Sequence, residues 1–67
     1  MICYNRLFNL MKKKGISTYR IRKDKILSVV TLLALQNNEY VSTKTINTLC
    51  AYLECQPEDI MEYIPDP

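Results

Sequence analysis

Histidine is absent from this chain of 67 residues, glycine occurs once, and cysteine occurs three times. Each shortage removes a class of function. Without an imidazole the chain lacks the usual proton shuttle near neutral pH, and the lone Gly15 cannot build a glycine-rich loop that cradles phosphate. No serine or cysteine lies in a nucleophile motif. Cys50 and Cys55 stand five apart with no Cys-x2-Cys pair and no histidine to complete a site, so zinc is not expected. The cysteines, Cys3, Cys50 and Cys55, are odd in number and no secretory segment precedes them, which predicts reduced thiols and a cytoplasmic setting. Glu58, Asp59 and Glu62 read as compensation of a helix dipole and a solvated face rather than as a pair of catalytic carboxylates. The expectation is therefore a non-enzyme with no metal, no cofactor and no small-molecule substrate.

Long apolar runs are also missing. The run Ile26 to Leu35, without charge, glycine or proline, has ten residues. A membrane span needs about 20, so no membrane partner is expected.

What remains is a globular composition, with 48% hydrophobic and 24% charged residues. Residues 1–67 are read as a single domain, and one this small buries only roughly 60% of its unfolded surface, which leaves a thin core. The net charge of +2 conceals an asymmetry. Residues 1–25 carry eight bases against Asp24, or +7, whereas residues 45–67 carry five acids and no base, or −5. Such a domain can orient in the field of a polyanion.

Helical spacing dominates the pattern. Tyr4, Leu7, Phe8, Leu10 and Met11 recur at three and four, predicting a helix over about 3–14 that Gly15 ends. Ser17 caps a short helix over 18–24, and Ser28 caps another over 28–37 that stops at Asn37-Asn38. Val29 and Val30 alone favour a strand, but Leu32 to Gln36 and the cap at each end favour a helix. Ser42 opens a helix over 43–53 through Ile46, Leu49, Cys50 and Leu53, and Pro57 opens a last one over 57–63 that Pro65 ends. The prediction is five short helices and no sheet.

Two short helices joined by a tight turn are the form of a helix-turn-helix. The segments Lys14-Gly15-Ile16-Ser17-Thr18-Tyr19-Arg20-Ile21, Leu27-Ser28 with Leu32, Leu35 and Asn37, Ile46-x-x-Leu49-Cys50-x-x-Leu53, and Cys55-Gln56-Pro57-x-Asp59-Ile60-x-Glu62-Tyr63-Ile64-Pro65 carry a fuller likeness. Together they resemble small helix-turn-helix regulators of the Cro and phage-repressor type, the lambda-repressor-like or Xre family. That resemblance implies an all-α, five-helix domain that binds double-stranded DNA, with the helices over 18–24 and 28–37 meeting the major groove. It places Thr18 near a phosphate or base edge, and Ser28, Val29, Val30, Thr31, Leu33 and Ala34 where the family has its base readers. Asn37, Asn38, Thr43, Lys44 and Thr45 fall where the sugar-phosphate backbone is touched. Lys12, Lys13 and Arg20 are natural phosphate contacts by charge.

Two departures stand out. The family commonly has glycine in the turn between its second and third helices, where this chain has Ile26. The outer face of the third helix usually carries polar readers, and here it carries Val29, Val30, Leu33 and Ala34, while Thr31, Leu32 and Leu35 lie opposite. Three uses of that apolar face follow: contact with thymine methyls, a protein partner or second copy of the chain, or burial between neighbouring helices. The five tyrosines fit core and rim positions better than a stacking platform, with Tyr40 the exception.

Overall fold

Residues 1–66, which the computed structural model describes, run in the order β1 (Ile2–Cys3), α1 (Asn5–Lys13), α2 (Thr18–Lys23), α3 (Val29–Gln36), α4 (Thr43–Leu53), a 3-10 turn (Pro57–Asp59) and β2 (Glu62–Tyr63). The helices form where apolar spacing and caps coincide. Ser17, Ser28 and Ser42 each turn a side-chain oxygen onto the backbone N–H three residues ahead, at 3.1 to 3.2 Å. Each satisfies one of the donors that a helix start leaves orphaned.

The other ends share one device. Gly15 N–H bonds the Lys12 carbonyl and Ile16 N–H bonds the Met11 carbonyl, a Schellman motif with Gly15 at φ 71°. α2 closes the same way through Lys25 at φ 57°, and α3 through Asn38 at φ 56°. Glu54, at φ 53°, ends α4 in the same left-handed region. The strained residue in the α2–α3 turn is therefore Lys25, not Ile26. Ile26 is half-buried and packs against the core instead.

One cluster forms the core. It gathers Tyr4, Leu7 and Met11 from the first helix and its cap, Ile21 from α2, Leu32 and Leu35 from α3, Ile46, Leu49 and Leu53 from α4, and Ile60 beyond the 3-10 turn. Each helix thus gives one stripe inward.

The expected helix over 57–63 is not formed. Asp59 Oδ2 accepts from Gln56 N–H at 3.0 Å, so the start signals are obeyed, but the turn is three residues long. Pro65 disfavours helical geometry at Ile64, and so short a segment gains too little from helical bonds to continue. The chain instead extends into β2, which pairs antiparallel with β1, Ile2 opposite Tyr63 and Cys3 opposite Glu62. That pairing also shortens the first helix, expected from about residue 3, to a start at Asn5. The result is a mostly helical fold with a small two-stranded sheet, rather than the five-helix all-α form.

Two outcomes follow for stability. Lys25→Gly relieves left-handed strain that exceeds the entropy lost with glycine, and should stabilise the fold by about 0.5–1 kcal/mol in urea unfolding. An unchanged or lower midpoint would contradict the strain argument. Tyr4 is buried, and its hydroxyl is raised above the ordinary 10.0 chiefly by desolvation, with Tyr40 adding and a backbone bond from Val41 opposing. A raised acid holds its proton more tightly when folded, so its contribution is complete below pH about 10 and is lost as pH rises through the folded value. Thermal melts above pH 10 should therefore fall more gently in Tyr4→Phe than in the parent; parallel curves would refute this.

Candidate nucleic-acid interface

The thin core settles where α3 points. Leu32 and Leu35 are inside, whereas Val29, Val30 and Leu33 are 51%, 77% and 51% exposed. The burial of this face between neighbouring helices, one of its three expected uses, does not occur. Ala34 is half-buried at the margin, as is Thr31. Ser28 Oγ donates to Thr31 Oγ1 at 3.0 Å while accepting from Thr31 N–H, so both hydroxyls are spent on starting the helix.

α2 lies beside this face. A groove between the two helices, about 110 Å³ in volume, is lined by Thr18, Arg22, Val29, Leu32, Leu33 and Gln36. A second groove, lined by Arg22, Lys25, Leu27, Ser28 and Val29, adjoins it. Thr18 is thus brought to α3, half-buried at the first position of α2. Arg22 lines both grooves and, like Lys25, makes no ion pair among the described residues. Arg22 is among the bases of the first two helices that are expected to hold phosphates, whereas Lys25 and Gln36 are not among the expected contacts. Spacing carried the information: Arg22 is one turn beyond Thr18, and Gln36 is one turn beyond Leu33 and two beyond Val29.

The other expected contacts fall in three places. Thr43 and Lys44 are exposed on the first turn of α4, while Thr45 is half-buried with its hydroxyl 3.2 Å from Ser42 Oγ. Asn37 is exposed at the end of α3, but Asn38 is half-buried and its Oδ1 accepts from Tyr4 N–H at 3.1 Å, tying the loop to the start of α1. Arg20 is exposed and faces Asp24 at 3.8 Å. Lys12 and Lys13 are exposed at the end of α1, where they line a separate groove with Arg6, Glu58 and Asp59 and none of the grooves of α3.

That separate groove explains the fate of the charge asymmetry. Arg6 meets Glu62 at 3.2 Å and donates to the Glu58 carbonyl at 2.9 Å, and the N-terminal ammonium meets Asp66 at 3.4 Å. The two ends of the chain offset each other there. Beside the apolar face of α3, the charges of Arg22 and Lys25 are not offset by an ion pair among the described residues.

Cys50 and Cys55 are half-buried free thiols, and Cys55 is raised by desolvation first and then by Cys50. It stays a protonated, weakly nucleophilic thiol at neutral pH. Among the described residues no group of three potential ligands gathers for a metal, and no helix is long and apolar enough to cross a membrane. Of the tyrosines, Tyr19, Tyr40 and Tyr63 are exposed and Tyr4 is in the core.

Comparison with known proteins bears on this surface. The chain is similar to the crystal structure of the transcriptional regulator VanUg, with 31% identity over 97% of this chain and 87% of that one, at a TM-score of 0.88. No curated protein matches. Residues 6–66 match the model of the Cro/C1-type HTH DNA-binding domain, so the chain belongs to that helix-turn-helix family.

Proposed function

We propose that this chain regulates transcription by binding double-stranded DNA, with α3 laid in the major groove and α2 crossing above it. The observation that carries this reading is the exposed outer face of α3 beside the unpaired Arg22 and Lys25. A polyanion fits that combination, because phosphates take the cations while base edges meet the helix. Lys44 and Thr43 on the first turn of α4, and Asn37 at the end of α3, supply further backbone contacts. Thr18 and Ser28, which line these grooves at the starts of α2 and α3, add contacts to phosphates or base edges. Lys12 and Lys13 add long-range attraction, partly offset by the neighbouring Glu58 and Asp59.

A second reading rests on the same exposed face. Val29, Val30 and Leu33, with Ala34 at their edge, form a surface that a protein or a second copy of the chain could cover. Leu33→Glu separates the two. If copies associate through this face, the variant shifts sedimentation from dimer toward monomer; under the DNA reading sedimentation is unchanged and duplex binding weakens.

For the DNA reading, log K falls linearly with log salt in a fluorescence-anisotropy titration with random-sequence duplex. Arg22→Ala and Lys44→Ala should each weaken binding evenly across sequences and lower that slope by about 1. Parent-like slopes in both variants would remove these residues from the interface, and absence of salt-dependent binding to any duplex would overturn the function.

A further inference from the structure

The face that α3 presents is chemically narrow. Its exposed members are two valines and a leucine, and the polar side chain of α3 that lines a groove with two of them is the exposed Gln36. We propose that this face selects A·T pairs by packing Val29, Val30 and Leu33 against the 5-methyl groups of thymine, with Gln36 directed to adenine. This inference rests on the DNA-binding reading above and specifies its target.

Major-groove chemistry supports the choice. Thymine is the base that presents a methyl group there, adenine presents an acceptor and donor pair suited to a carboxamide, and guanine presents two acceptors that call for Arg or Lys. No side chain on α3 is basic. Val29, Leu33 and Gln36 line one groove together, so the apolar and carboxamide groups act on neighbouring positions. Arg22 also lines that groove, but from α2, the helix that crosses the backbone in this docking geometry.

A protein occupant fits less well. Three aliphatic side chains fall far short of the about 800 Å² per partner that a stable interface buries. A second copy brings no acid on α3 to meet Arg22 and Lys25, the cations that border this face. A duplex accepts the same cations and needs only a few apolar contacts to discriminate.

The test isolates one methyl group. Short random-sequence duplexes are prepared with thymine, or with deoxyuridine in its place, which keeps every hydrogen-bonding edge and removes the methyl. Selection on the thymine library should enrich A·T pairs, and the selected sequences remade with deoxyuridine should bind roughly three- to fourfold more weakly for each contacted methyl, as measured by anisotropy. Val30→Ser and Leu33→Ser, both at exposed positions, should shrink that thymine preference while circular dichroism and the salt slope stay as in the parent. Gln36→Ala should relax the preference for adenine and leave the thymine-to-uracil ratio unchanged.

Equal affinity for the thymine and deoxyuridine duplexes overturns the inference and leaves DNA binding standing. Enrichment of G·C pairs that is lost in Arg22→Ala also overturns it, and assigns readout to Arg22. Failure to bind any duplex at low salt instead overturns the function on which the inference rests, and association of copies lost in Leu33→Ser points to the protein partner.

Discussion

A core one layer thick governs this molecule. Ten buried residues form its single cluster, and every helix contributes one stripe to it. A chain of this size has no second layer with which to cover another face. Once Leu32 and Leu35 are committed inward, Val29, Val30 and Leu33 must meet solvent, although they are as apolar as the residues inside. The exposed apolar surface is therefore a geometric consequence of a small core facing a helix that is apolar on both sides. Solvent exposure of such a face stabilises nothing in the free chain, which is the kind of local inconsistency that folded proteins carry at sites of interaction.

Closure of the chain sets the electrostatics. β1 and β2 bring the basic N-terminal end and the acidic C-terminal end together, and Arg6–Glu62 and the N-terminal ammonium–Asp66 are the pairs that result. Exposed pairs of this kind add little to stability. Their larger effect is on the field, because they offset charge where the two ends of the chain meet, while Arg22 and Lys25 beside α3 make no ion pair among the described residues. A sequence asymmetry that suggests a dipole along the chain is partly offset in the fold, where its two ends meet.

The helices from α2 to α4 were legible because serine caps and apolar spacing agree, and the outward direction of Val29, Val30 and Leu33 followed from helical projection alone. The β1–β2 ladder was not, since two-residue strands carry no period and their partners lie at opposite ends of the chain. Pro57, Glu58 and Asp59 correctly marked a helical start, but start signals do not specify how far a helix runs. Charge groups Lys12 and Lys13 with the interface, but charge is a property without direction; in the fold they line a groove shared with Glu58 and Asp59. The spacing of Arg22 from Thr18 and of Gln36 from Leu33 places both on the relevant faces, a signal legible in the sequence without the family pattern.

Lys25 joins these threads. The α2–α3 turn requires a left-handed residue, the position where glycine is cheapest, yet the chain has a cation there. Asn38 occupies the equivalent position after α3 with less strain, because asparagine tolerates that region, and it uses its side chain to hold the start of α1. Lys25 makes no compensating ion pair or side-chain bond among the described residues, and its surroundings are Arg22, Ser28 and Val29. No gain within the free fold offsets its backbone strain. Under the proposed DNA reading, a positive charge at the mouth of the groove would do so when a phosphate arrives, and the conformational cost of Lys25 would then be explained by the bound state and not by the fold.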